Sequence, residues 1–334
     1  MQASLGPFRH GVASGDPLAD RVVIWTRVTS DHDGDRPIRW TVARDRDLDD
    51  CVATGQGVAR AEDDTTFRVD VIGLEAATPY WYAFDCDGER STVGRTKTLP
   101  IGRVDHLRFA QCSCSKHNAG FFNAYARIAD REDLDFVLHL GDYIYEAGEQ
   151  PAAGQTPGAG IGRPFDPLNE CVTLDDYRRR YAQYHHDPDA QRMHRTHPMI
   201  ATVDDHEFAD GAWRGGSDAH VPERDGPWED RRAAAFRARA EWLPIRHPDP
   251  ADPTRIFRSM ALGDLADLYL IDTRSRRDQP VRGEATTHPG RSQLGREQAD
   301  WLIEGVRASP SPWLFVGNGS VMSPIWRDGF TPSV

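Results

Sequence analysis

The chain has no run of about 18 apolar residues, so no stretch is long enough to cross a bilayer as a helix. Its first residues, Met1-Gln2-Ala3-Ser4-Leu5-Gly6-Pro7, lack the basic stretch and apolar core of a secretory leader. Two origins fit that start: a cytoplasmic protein, or a protein whose sequence begins after a removed leader. An excess of basic charge is also missing. Forty Lys and Arg stand against 52 Asp and Glu, for a net charge of −12. This argues against nucleic-acid binding through a basic surface, which gains its affinity by releasing counterions. It leaves a small phosphate ester open as a ligand, because a bound metal ion reverses the local field. Internal repeats, a Walker-type phosphate loop, a serine nucleophile elbow and zinc-type Cys-x-x-Cys pairs are all absent.

Cysteine is scarce and odd in number: Cys51, Cys86, Cys112, Cys114 and Cys171. At least one thiol is left over if the others pair. Cys51 and Cys86 both fall in the first hundred residues and are candidates to pair there. Cys112-Ser113-Cys114 is too tight for an unstrained bridge, so one of these two is better explained as a ligand or a buried thiol.

What is present suits a globular protein of two domains: 334 residues, 39% hydrophobic and 28% charged. Residues 8–100 read as short alternating strands, among them Arg21-Val22-Val23-Ile24-Trp25-Thr26 and Phe67-Arg68-Val69-Asp70-Val71. Turn formers such as Asp33-Gly34-Asp35 and Asp87-Gly88 punctuate them. The spacing predicts a β-sandwich, and the run from Gly73 to Tyr82 resembles the late strands of fibronectin type III modules, with a structural tyrosine at a corner. Ser14-Gly15-Asp16 is expected to make a turn at the domain junction.

From residue 104 the rhythm changes to alternating strands and helices, which predicts an α/β domain over 104–334. Strands are expected at 107–110, 135–140, 199–203, 266–271 and 313–316. Helices are expected along Phe121 to Ala129, along the stripe Leu174, Tyr177, Tyr181 and Tyr184, over 229–243 up to Pro244, and over 292–307. Gly- and Pro-rich residues 151–168 and polar residues 208–227 read as loops. Arg178-Arg179-Arg180 reads as a charged helix face, and His185-His186-Asp187 as a solvated loop.

The chemistry concentrates where strands end. Asp135-Phe136-Val137-Leu138-His139-Leu140 is a nearly continuous apolar run, as in a strand buried on both faces. Gly141 then permits a tight exit, and Asp142 and Tyr145 follow at the carboxyl end, where open α/β sheets bind ligands. Cys112 ends the strand before it. Asp204-Asp205-His206-Glu207 ends the strand after it. If the strands are neighbours, a thiolate, a phenol and carboxylates meet at one sheet edge. A carboxylate between two metals bridges them, and thiolate with phenolate favours ferric iron. His206 beside such a centre is placed to protonate a leaving group, with Asp204 holding its imidazole in one tautomer.

Taken together, these motifs resemble the alkaline phosphatase D (PhoD-like) family of the calcineurin-like metallophosphoesterases. The resemblance rests on Gly11-Val12-Ala13-Ser14-Gly15-Asp16-Pro17, Ala110-Gln111-Cys112-Ser113, His139-Leu140-Gly141-Asp142-Tyr143-Ile144-Tyr145-Glu146, Asp204-Asp205-His206-Glu207 and Asp272-Thr273-Arg274. It implies an N-terminal all-β, fibronectin III-like sandwich (8–100) followed by an α/β metallophosphoesterase domain (104–334), a sheet sandwich flanked by helices. It implies hydrolysis of phosphate monoesters or phosphodiesters by metal-bound hydroxide. Fe3+ and a divalent ion, Ca2+ in well-known members, would be the cofactors. Cys112 and Tyr145 would bind iron, Asp142 would bridge, Asp205 would bind the second metal, and His206 would assist the leaving group. An extracytoplasmic location after removal of a leader is implied as well. The family closes its site with late Gly-Asp-x-His and further His or Asp ligands, which do not follow Asp205 here, so an incomplete catalytic domain is expected. The alternative is an inactive or incomplete fragment of that fold serving as a binding module; a third is a cell-surface β module fused to an α/β domain acting on a non-phosphate substrate. Oligomeric state is not legible in the sequence.

Overall fold

Alternating segments dominate the first hundred residues, and in the computed structural model they become eight strands. These are β1 (Val12–Gly15), β2 (Arg21–Arg27), β3 (Arg36–Ala43), β4 (Cys51–Ala59), β5 (Thr66–Ile72), β6 (Pro79–Cys86), β7 (Glu89–Arg90) and β8 (Gly94–Lys97). The structure describes residues 6–30, 34–149, 159–247, 249, 252–281 and 288–322. Asp33 and the part of the expected 151–168 loop up to residue 158 lie outside these. Strands β4-β3-β6-β7, with β8 on β6, form an antiparallel sheet. Its apolar face meets β1, β2 and β5 through Val12, Val22, Ile24, Ile38, Val42, Val71, Tyr82 and Phe84. Tyr80 is the corner tyrosine: its hydroxyl accepts a hydrogen bond from the Glu75 backbone N–H at 2.9 Å. Cys51 and Cys86 do not pair; both thiols are free. β3 lies between their strands, which sets the two backbones about 10 Å apart, beyond the reach of a disulfide.

The second sheet of the sandwich continues into the α/β part. β1 pairs antiparallel with β2 and parallel with β11 (Pro198–Ala201). With β9 (Phe109–Cys112) and β10 (Phe136–His139) the order is β5-β2-β1-β11-β10-β9. Ser14-Gly15-Asp16 is therefore not a turn at a junction. Ser14 and Gly15 run inside the sheet, and Asp16, with Ser14, is fully buried. Asp16 is held by the Arg258 guanidinium at 2.6 Å and the Arg246 N–H at 2.7 Å, so the buried charge is paired.

Helices α1 (Asn123–Ala129), α2 (Leu174–His185), α3 (Pro188–Thr196), α4 (Pro222–Asp225), α5 (Trp228–Trp242) and α6 (Arg296–Ala308) fill the connections. A capping box of Thr173 and Asp176 starts α2. Its Tyr177, Tyr181 and Tyr184 are buried in the core against Phe208, Phe236 and Trp242. The Arg178–Arg180 run is not a uniform charged face. Arg180 is fully buried and donates to backbone carbonyls of Tyr145, Ala147, Pro167 and Asn169. His185-His186-Asp187 is not a solvated loop either. His185 ends α2 inside the core, and Asp187 caps α3 and pairs with Arg163 at 2.8 Å.

A third sheet, β12 (Arg258–Leu262), β13 (Ala266–Leu270) and β14 (Trp313–Gly317), packs against the six-stranded one. Phe136, Leu138 and Ile200 of one meet Met260, Leu268 and Leu270 of the other. β14 is the outer strand, and its Trp313, Leu314, Phe315 and Val316 are 62%, 41%, 39% and 44% exposed.

Candidate metal centre

β9, β10 and β11 run parallel with β10 in the middle, so their carboxyl ends open on the same side. After β10 the chain turns at Gly141 (φ +100°), where a Cβ would collide with the backbone of Val203 and Asp204. Only glycine lets the two strand-end loops approach so closely. Asp142 follows in the left-handed region (φ 52°), uncommon for a residue with a side chain. One group fixes this arrangement. Glu207, fully buried, accepts hydrogen bonds from the N–H of Asp142 (3.0 Å), of Tyr143 (2.5 Å) and of Asp204 (2.7 Å).

The result is a cluster in which Asp142, Asp205 and His206 present potential ligand atoms all within 4.8 Å of one another. Tyr145 donates to Asp142 Oδ2 at 3.2 Å, and its ring lies 4.2 Å from the His206 ring. Asp205 accepts from the Gly211 N–H at 2.8 Å. Asp204 does not hold the imidazole as expected. It pairs with Arg274, which also reaches Asp205 at 3.3 Å. The carboxylate on His206 is Glu146, 2.7 Å from Nδ1 and itself buried.

Cys112 is not brought into the cluster. Its thiol packs toward the core beside Tyr125, and burial pushes it up to about 12. The Cys114 thiol lies nearer to the cluster. Residues 112 and 114 would share a face in a continuing strand, but Cys114 adopts a left-handed conformation (φ 59°). Its N–H donates to Gly141 O at 3.3 Å and that of Ser115 to Asp142 O at 3.2 Å, which docks the turn on the β10 loop. The Cys114 thiol lies against Asp142 and Tyr145, and burial, with the charge of Asp142, pushes it up.

The cluster carries more negative charge than its cations offset. Burial, then the neighbouring Asp204 and Asp205, push Asp142 up to about 6, against the pull of His206. Burial also raises Asp204, against Arg274. His206 moves the other way. Burial disfavours its charge, but Glu146 first, then Asp142 and Asp205, push it up to about 9. Buried carboxylates with a surplus of charge, a phenol and a thiol form a donor set that a cation relieves.

Two family models match the chain: "PhoD-like phosphatase, N-terminal domain" over residues 1–100, and "PhoD-like phosphatase" over residues 109–333. The chain belongs to the PhoD-like phosphatase family. It is 36% identical over 328 residues to alkaline phosphatase D of Bacillus subtilis (strain 168), covering 92% of this chain. It is also similar to the solved structure of PhoD, with a TM-score of 0.85 and 33% identity over 95% of this chain. The chain spans 54% of the length of the first relative and 63% of the second. In this PhoD-like chain, three residues that shape the candidate site were not singled out from the sequence: Glu146, Glu207 and Arg274. Glu146, Glu207 and Arg274 each end a quoted motif, where a polar residue beside a proposed ligand is itself a signal. Between Cys112 and Cys114 the residues alone left the choice open, because nothing in Cys-Ser-Cys announces a left-handed turn.

Proposed function

We propose that this chain carries a metal-dependent phosphoester hydrolase site acting on phosphate monoesters, phosphodiesters or both. The observation that carries the reading is the convergence of Asp142, Asp205 and His206 at the tips of neighbouring parallel strands. In this reading Cys114, Tyr145 and Asp142 would hold Fe3+, because thiolate and phenolate suit a strongly Lewis-acidic ion. Asp142 and Asp205 would hold a divalent ion, Ca2+ by family resemblance, on oxygen ligands. Ions so held supply Lewis acidity toward the phosphoryl oxygens and activate water for attack on phosphorus.

The chain's own residues do the rest. Glu146 occupies His206 Nδ1, so Nε2 is left to give a proton to the departing oxygen. Glu146 also favours the protonated ring that such a donor needs. Arg274 holds Asp204 and Asp205 in place from one side, and Glu207 holds the loop backbones from the other. An extracytoplasmic location belongs to the proposal through the family resemblance, and cell fractionation tests it.

The test is metal analysis with turnover of p-nitrophenyl phosphate and bis(p-nitrophenyl) phosphate. Wild type should hold iron near one per chain and hydrolyse at least one ester. His206→Asn should lose on the order of 10²–10⁴-fold in rate with its metal retained. Metal-loaded wild type without turnover of either ester would overturn the reading. A second reading is favoured by the exposed strand β14: a catalytically inactive domain of this fold that works as a binding module. Iron-free protein that stays inactive after reconstitution is its expected signature.

A further inference from the structure

Forty residues of the chain are basic, and only Lys97 and Lys116 among them are lysine. Lys97 has a structural partner, Asp135, at 2.6 Å. Lys116 is exposed and makes no ion pair or side-chain hydrogen bond among the described residues. Its position is not an arbitrary point on the surface. It follows Cys114 by two residues, and its Nζ lies 5.4 Å from the centroid of the Tyr145 ring, which itself lies against His206.

Among the described residues, the arginines around the cluster are committed. Arg274 pairs with Asp204 and Asp205. Arg180 donates to backbone carbonyls, Arg163 pairs with Asp187, and Arg277 donates to Gly211 O and Ala212 O. Among the described residues, Lys116 is therefore a cation beside the site with all three N–H donors available. A lysine is also the apt residue for such a task. Its compact ammonium binds a phosphoryl oxygen as a point charge on a flexible stem, whereas arginine suits planar bidentate pairing. The acids clustered at Asp142, Asp204 and Asp205 repel an anion, so a free cation at the rim has a purpose there.

We propose that Lys116 is a substrate-binding residue whose ammonium takes a non-bridging oxygen of the phosphoryl group. Attraction to a point charge grows with the charge on the anion, so Lys116 favours the dianion of a phosphomonoester, and orthophosphate as product, over the monoanion of a phosphodiester. This deepens the hydrolase reading above and rests on it.

The experiment compares the metal-loaded wild type with Lys116→Met and Lys116→Arg. For Lys116→Met, KM for p-nitrophenyl phosphate and the inhibition constant of orthophosphate should each rise about tenfold, as loss of one charge-assisted contact predicts. KM for bis(p-nitrophenyl) phosphate should rise by a smaller factor, and kcat should change less than KM. Lys116→Arg should recover most of the loss, and metal content should stay at the wild-type level in both. Unchanged KM and inhibition constants, or equal losses on both esters, would overturn the assignment. If wild type turns over neither ester, the hydrolase reading fails by itself. Equilibrium dialysis of orthophosphate against the metal-loaded protein then still decides on Lys116: weaker binding by Lys116→Met supports it, and equal or absent binding refutes it.

Discussion

Glu207→Ala is the substitution with the largest consequence for the site. The Glu207 carboxylate is fully buried and accepts three backbone N–H groups, those of Asp142, Tyr143 and Asp204. Burial pushes this group up, with the Asp142 charge adding to the rise and the N–H groups of Asp204 and Tyr143 opposing it. Alanine leaves those donors without a partner in a place water does not reach. Each orphaned donor costs roughly 1–3 kcal/mol, so the three together cost about 3–9 kcal/mol. That is comparable to the whole stability of an ordinary domain, about 5–15 kcal/mol. Part of the cost will be relieved by the loops moving apart, and this separates Asp142 from Asp205. The expected result is a lower melting temperature together with metal affinity weakened beyond the roughly 10–100-fold typical of an outer partner. Glu207→Gln keeps the shape but turns an amide N–H₂ toward backbone donors, so it should fall between alanine and wild type. The assay is a metal titration followed by fluorescence, beside thermal unfolding of the metal-free forms. Wild-type melting and wild-type metal affinity in Glu207→Ala would refute the idea that this carboxylate holds the two loops together.

Cys114→Ser should weaken iron binding by at least about tenfold, whereas Cys112→Ser should leave metal content unchanged; inductively coupled plasma analysis of both variants decides between the two thiols. A pH prediction comes from His139 and His194, both fully buried and held by burial at about 3 and about 4. Their unfolded forms take up a proton below about 6.5 while the folded forms do not, so stability is present above that pH and is lost as pH falls toward 4. Between pH 6.5 and 5 the two groups should remove about 3–4 kcal/mol, read from urea midpoints; His194→Gln should flatten the slope, and an unchanged slope would contradict it. Finally, the exposed apolar strand β14 should drive concentration-dependent association seen by light scattering, which Leu314→Lys should reduce.

The elements that sequence made legible are those where one signal acts alone. The Tyr177, Tyr181, Tyr184 stripe repeats at helical spacing, and those side chains are buried in α2. Strand 136–139 is apolar on both faces, and it is central between β9 and β11. Illegible were the residues whose environment is set from far along the chain. Arg180 looks like one of three surface arginines, yet residues 145–147 and 166–169 supply carbonyls that let it be buried. Asp16 looks like a turn former until Arg258, far along the chain, reaches it. No local pattern could have announced either, because a buried charge depends on its partner and the partner is remote.

The same division runs through the candidate metal cluster. Asp142, Tyr145, Asp205 and His206 follow strand ends, so strand order alone brings them together. Choosing between Cys112 and Cys114 depends instead on a single backbone conformation, the left-handed Cys114, and the choice of His206 partner depends on which carboxylate the 142–146 turn aims at the ring. That turn is fastened along its length. Glu207 binds the N–H groups at 142 and 143, the Tyr143 hydroxyl reaches His194 at 2.7 Å, and Arg180 takes the carbonyls at 145 and 147. With its backbone fixed at successive points, the segment has little freedom to reorient when a cation arrives. The carboxylates of Asp142 and Glu146 are then held in position before binding, which lowers the ordering cost of taking up an ion and ties the left-handed strain at Asp142 to the function proposed for it.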